Sequence, residues 1–185
     1  MSKSMRALAL LAAFVLLSAQ APSPYAGHAS REIKALSDEE TADLLAGRGM
    51  GLAVAAEMNG YPGPMHVLEL ADALHLTPEQ RAATAALIAP MRERAQQLGR
   101  DVVAAEAALE RAFVAHTLDS AALQAQVMRI AELRGRLRAV HLETHLAQRA
   151  ILRPEQLAHY AALRGYGDRG SPTPAPAHPM RGHRH

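Results

Sequence analysis

Cysteine and tryptophan are absent from this 185-residue chain, and aromatic residues make up only 3 % of it. Without cysteine there is no disulfide, no thiol nucleophile, no thiolate metal site and no residue to carry a lipoprotein anchor. Stability must then come from helix packing or from association. Strands draw on β-branched and aromatic side chains, and these are too few to build a sheet. Hydrophobic residues still reach 49 %, supplied mostly by alanine and leucine, a composition that predicts close helix-on-helix packing. Lysine is scarce as well: after Lys3 only Lys34 remains, and every other cation is arginine. GC-rich coding accounts for that arginine and alanine bias as readily as any function.

The first stretch reads as a targeting signal. Lys3 and Arg6 precede an uncharged apolar run, Ala7 to Leu17, and Ala19-Gln20-Ala21 offers a small-x-small cleavage site. The run falls short of the ~20 residues that span a bilayer, so residues 1–21 are expected to be a cleavable signal peptide rather than an uncleaved membrane anchor. Periplasmic localisation follows from that expectation. Removing Lys3 and Arg6 leaves 18 of the 20 lysines and arginines against 18 acidic residues. That balance argues against a partner bound by bulk charge, nucleic acid above all.

Residues 22–36 read as a partly ordered lead-in, 37–166 as a helical domain, and 167–185, rich in proline and glycine with no apolar stripe, as a disordered tail. Ser37 with Glu40 forms a capping box that starts a short helix running to about Ala46. Three glycines between Gly47 and Gly51 interrupt it. A second short helix is expected from about Met50 to Met58, and a third from Pro64 to near His75. Leu76-Thr77-Pro78-Glu79-Gln80 is the sharpest local signal. Thr77 caps, Pro78 takes the first helical position, and Gln80 completes the box. Leu87, Met91, Ala95, Leu98, Val102, Ala105, Leu109 and Phe113 then hold one stripe of a long helix, in which Pro90 predicts a bend. After a short link, with Asp119 or Ser120 as cap, Leu123, Val127, Ile130, Leu133, Leu137 and Val140 mark a second long helix. A short link makes the two antiparallel neighbours. Leu152-Arg153-Pro154-Glu155-Gln156 restarts the chain into a last short helix. Arg153 cannot accept a capping hydrogen bond there, so this start is the weaker one. The class is therefore all-α, a long antiparallel helical hairpin with short flanking helices. One layer of two helices cannot bury its stripes alone, which predicts a homodimer.

The paired pentapeptides at 76–80 and 152–156, flanking a helical hairpin in a chain that begins with an export signal, resemble the LTxxQ motif of the Spy/CpxP family of periplasmic proteins. That family includes ZraP-like and CnrX-like metal-responsive members. The resemblance covers about residues 37–166. It assigns Leu76, Thr77, Pro78 and Gln80 to the first motif, and Leu152, Pro154 and Gln156 to the second. It implies a curved antiparallel homodimer and a role in envelope stress.

No phosphate loop, HExxH or GxSxG motif is present, and no enzyme is expected. The strongest candidate site is His141-Leu142-Glu143-Thr144-His145. Histidines four apart share a helix face and can ligate one Zn²⁺, Ni²⁺ or Cu²⁺, while Glu143 points to the opposite side. Further ligands would come from His75, His116 or Glu57. Arg134, Arg138 and Arg149 fall on the same stripe as the two histidines, and their charge works against a metal ion. The alternative is a solvated basic ridge beside the apolar stripe. Such a ridge suits unfolded clients, with Arg134, Arg138 and Arg149 supplying charge and Met91 and Met128, together with Met50, Met58 and Met65, supplying adaptable apolar contact. In the tail, His178, Met180, His183 and His185 form a second candidate metal-binding set.

Two function classes result. The first expectation is an ATP-independent chaperone or stress adaptor for unfolded or misfolded envelope proteins, needing no cofactor. The alternative is a heavy-metal sensor or metal-responsive regulator for Zn, Ni or Cu. A membrane sensor kinase or regulator is a further partner in either case.

Overall fold

The structure is a computed structural model that describes residues 23–166. The expected signal peptide (1–21) and tail (167–185, with His178, Met180, His183 and His185) lie outside the described residues. Within them the fold is all-α. Six helices follow one another: α1 (Asp38–Ala46), α2 (Val54–Glu57), α3 (Pro64–Glu69), α4 (Pro78–Val114), α5 (Ser120–Ile151) and α6 (Pro154–Leu163). No helix among the described residues is long and apolar enough to cross a membrane.

The hairpin of α4 and α5 is the frame. With 37 and 32 residues, the two helices are about 55 and 48 Å long at the rise of an α-helix. Three expected caps are present. Ser37 Oγ accepts from Glu40 N at 3.0 Å, Thr77 Oγ1 from Gln80 N at 3.2 Å, and Asp119 Oδ1 from Ala122 N at 2.7 Å. Pro90 sits inside α4 without ending it. Because Thr77 satisfies an otherwise orphaned amide at the head of the longest helix, Thr77→Ala is expected to cost about 0.5–2 kcal/mol. Thermal unfolding checks this, and an unchanged midpoint would mean the cap contributes nothing.

Two expected helices are shorter than their patterns suggest. The one anticipated over about Met50–Met58 is reduced to Val54–Glu57, because Met50 (φ 43°) and Gly51 (φ 76°) are both left-handed and cannot begin a right-handed helix. The one anticipated to run from Pro64 to near His75 ends as a helix at Glu69 and continues in turns. His75 stands at φ 50°, with its own N–H on Asp72 C=O and the N–H of Leu76 on Ala71 C=O at 3.0 Å. This is the Schellman closure, with a histidine in the place usually taken by glycine. His116 (φ 53°) closes α4 the same way, the Thr117 N–H reaching Ala112 C=O.

Burial is split between two clusters. Leu44, Ala95, Leu98, Val102, Leu133 and Leu137 fill the space between α1 and the hairpin. Ile33 and Leu36 join them, so the packed core begins before the expected domain start at Ser37. Val67, Ala71, Leu74, Leu76, Leu152 and Tyr160 form the second cluster, at the open end of the hairpin. The flanking segments reach along the hairpin as far as Glu110, which pairs with Lys34 at 2.5 Å. Beyond that point Phe113, Val114, Val127 and Met128 remain exposed, although Phe113 and Val127 belong to the apolar stripes.

The two pentapeptides meet at the open end. Gln80 and Gln156 form a reciprocal amide pair, Nε2 of each donating to Oε1 of the other at 2.9 and 3.0 Å. Each also accepts from the backbone of its own cap residue, Thr77 N at 3.1 Å and Arg153 N at 2.9 Å. Each donates to a carbonyl just ahead of the other motif, Gln80 to Ile151 and Gln156 to Leu74. Arg153 supplies no capping acceptor, yet the glutamine half of the second box forms in full.

Candidate functional site

A cleft of about 750 Å³ opens between the loop after α1, the start of α3, and the facing turns of α4 and α5. Three imidazoles and three thioethers line it: His66, His141 and His145, with Met50, Met65 and Met91. The histidines of α5 are one helical turn apart, so both reach the same side. His145 Nδ1 lies 2.7 Å from the carbonyl oxygen of Tyr61. A carbonyl can only accept, so Nδ1 carries the proton and the lone pair sits on Nε2. Hydrogen bonds of this kind set the tautomer and ring orientation of metal-binding histidines. Gly63 lies against that ring: a Cβ there would stand 3.3 Å from Nε2.

His141 is only 5 % exposed, and its Nε2 is buried without a hydrogen-bond partner. Burial first, and the neighbouring His145 second, push its pKa below the usual imidazole range. That shift favours the neutral ring, the form that ligation needs. His66 Nδ1 is a second buried nitrogen without a partner. A buried polar atom without a partner costs free energy; His66 Nδ1 has the Glu57 carboxylate nearby, whereas no partner is present for His141 Nε2 among the described residues.

Glu57 ties this region together from beneath. It is 9 % exposed; one carboxylate oxygen accepts from Gly63 N at 2.9 Å and the other from the Tyr160 hydroxyl. His66 Nδ1 and His145 Nδ1 stand 3.6 and 3.7 Å from those oxygens. Burial, then the carboxylate of Glu57, drive the Tyr160 pKa far upward, which keeps the phenol a donor. With both oxygens engaged, Glu57 ties the α2–α3 loop to α6. Among the described residues no group of three or more His, Asp or Glu side chains forms a ready-made cage, so an ion here must draw on the thioethers or on small movements of the rings.

Residues 44–159, more than half of the chain, match the family described as heavy-metal resistance. The chain belongs to the heavy-metal resistance family. This family lies within the Spy/CpxP-like helical group, so the resemblance carried by the pentapeptides holds at that level. Neither a curated protein nor a solved structure matches the chain. The stretch matched to the heavy-metal resistance family contains every histidine and methionine of the cleft and both motif glutamines.

The remaining candidates fall elsewhere. His75 and His116 serve as left-handed helix ends and are exposed, and neither reaches the cleft. His116 lies at the hairpin tip, about 30 Å along α5 from His141 by helical rise. The basic stripe is partly solvated and partly tied to other segments. Arg134 pairs with buried Glu106 at 3.0 Å. Arg149 donates to the Gly60 carbonyl and stacks 4.7 Å over the Tyr61 ring, while Arg138 stays exposed. Met91 belongs to the cleft, whereas Met128 is exposed about 20 Å down α5 from His141, so the two do not share a surface. His66 escaped sequence reasoning because nothing pairs with it at helical spacing. The adjacent Met65-His66, just after a helix-starting proline, was the available signal.

Proposed function

We propose that this protein is a metal-responsive member of the heavy-metal resistance family, exported to the cell envelope, that takes a transition-metal ion in the cleft with His141 and His145 as its first ligands. The observation that carries this reading is the pairing of two prepared nitrogens. His141 Nε2 is buried and unpartnered, and one turn away His145 has its other nitrogen committed to Tyr61. His66 lines the same cleft. A bound ion would draw α5, the α2–α3 loop and the start of α3 together, giving a metal-dependent shape that a signalling partner can read. The low pKa of His141 also means that protons compete for it only below the usual imidazole range.

Calorimetry on the purified chain tests this, in a full-length background carrying His178→Ala, His183→Ala, His185→Ala and Met180→Leu to silence the tail. Micromolar or tighter binding of Zn²⁺, Ni²⁺ or copper is expected. Adding His141→Ala with His145→Ala should weaken it on the order of 100-fold, since second-shell changes alone cost metal sites 10- to 100-fold. Equal affinity with and without these two histidines would sink the proposal.

The chaperone reading keeps one observation in its favour, the exposed Phe113, Val114, Val127 and Met128 at the hairpin tip. Apolar residues grouped on an otherwise polar surface suit unfolded clients or a second copy of the chain. Suppression of client aggregation that persists in chelator and is lost in Phe113→Ser with Met128→Ser would favour it.

A further inference from the structure

The donor atoms around the cleft discriminate between metals, and they point away from the hard and borderline dications. Five methionines fall within residues 23–166, and Met50, Met65 and Met91 line this one cleft. Methionine used as a core filler is buried, whereas Met50 and Met65 are 37 % and 48 % exposed at the mouth. Met50 is also held at φ 43°, a conformation that a non-glycine residue adopts at a cost.

The carboxylates nearby are already engaged. Glu57 accepts from Gly63 N and from Tyr160, and Asp43, also on the cleft wall, is ion-paired with Arg48. Zn²⁺ asks for four nitrogen, thiolate or carboxylate ligands, and no group of three His, Asp or Glu is assembled among the described residues. Thioether sulfur selects Cu(I) among the common metals, and Ag(I) shares its d¹⁰ softness. Arg48 and Arg92 also border the cleft. Arg48 is balanced by Asp43, but repulsion from the Arg92 guanidinium scales with the charge of the ion, so a dication meets twice the penalty of a monocation.

Resting on the metal-responsive reading above, we infer that the ion is a soft monocation, Cu(I) or Ag(I), held by His141 and His145 together with the thioethers of Met91 and Met65, with Met50 closing the mouth. No redox step is involved: the ion enters and leaves as the monocation.

The experiment uses the full-length chain with the silenced tail, under anaerobic conditions, titrated with Cu(I) against a chromophoric Cu(I) chelator and with Zn²⁺ against a zinc indicator. Met65→Leu with Met91→Leu is close to volume-conserving and should leave the helices intact, which circular dichroism verifies. Cu(I) affinity is expected to fall on the order of 10- to 100-fold, the range seen when a metal's surroundings lose a supporting group. Zn²⁺ affinity should not change, and the copper-edge X-ray absorption spectrum of the parent should contain sulfur neighbours that the variant lacks. Unchanged Cu(I) affinity and no sulfur in the parent spectrum would overturn the inference. If His141→Ala with His145→Ala still releases the ion in that case, the metal-binding reading stands without it. If neither substitution affects any metal, both fail. An equal fall in Zn²⁺ and Cu(I) affinity would also overturn the preference for a soft monocation.

Discussion

Gly99→Ala is expected to destabilise this protein by about 2–4 kcal/mol, although alanine is the better helix former by about 1 kcal/mol. The Cβ of an alanine at this position would lie 1.9 Å from the carbonyl oxygen of Leu44 and 2.6 Å from its carbonyl carbon. Both belong to the backbone of α1, so no rotamer change relieves the overlap. Helix α1 would have to lift off α4, and with it Leu44, one of the most deeply buried side chains of the core. Burying a leucine is worth about 1.5–3 kcal/mol, and overpacking adds about 1–3 kcal/mol of its own. Those losses outweigh the helix-propensity gain. Gly135, inside α5 with nothing within 4 Å of its would-be Cβ, supplies the control. There the same change should stabilise by about 1 kcal/mol. Urea unfolding of the two variants should therefore move the midpoint in opposite directions, and shifts of the same sign would refute the close contact between α1 and α4.

The second large effect belongs to Gln156. The residue is 3 % exposed, and its amide makes four hydrogen bonds, to Arg153 N, Leu74 C=O and both amide atoms of Gln80. Gln156→Ala leaves several buried groups unsatisfied at once, at about 1–3 kcal/mol for each orphan that water cannot reach. A net loss of about 2–4 kcal/mol is expected. Gln80→Ala should cost less, because Gln80 is the more exposed of the two. Residues in direct contact do not add: the double variant should be more stable than the summed single losses imply, with a coupling of about 1–3 kcal/mol. Additive losses in a double-mutant cycle monitored by urea unfolding would show that the two amides act independently.

Much of the architecture was readable because it rests on local chemistry. Ser37, Thr77 and Asp119 cap helices for reasons contained in a few neighbouring residues, and the apolar spacing of α4 and α5 describes the hairpin they form. The chain-wide contacts were not readable. Gly99 looks like any mid-helix glycine until Leu44 is seen lying on it. The stripe through Arg134, Arg138, His141, His145 and Arg149 follows from helical spacing, but periodicity names the face and not its cover. Glu106, Gly60 and Tyr61 come from other segments, and they engage Arg134 and Arg149 while leaving both partly exposed. His75 and His116 mislead for a related reason, since imidazole at a left-handed helix end carries no pattern that separates it from a ligand. The cleft depends on three segments brought together by tertiary folding, and only its α5 part left a spacing to find.

The amide pair also has a bearing on the order in which the molecule assembles. At the tip, residues 115–119 join α4 to α5, and so short a connection lets the two helices zip together early at little entropic cost. Gln80 and Gln156 are 76 residues apart in the chain, and they close the opposite end only after the hairpin has brought them near. Helix α6 is secured there, and through Tyr160 it holds Glu57 beneath the histidine cleft. Connectivity thus makes the floor of the cleft the part of the fold completed last. By the same reasoning it is released first when the open end frays, so a bound ion would be released by fraying of the helix ends while the paired long helices remain intact.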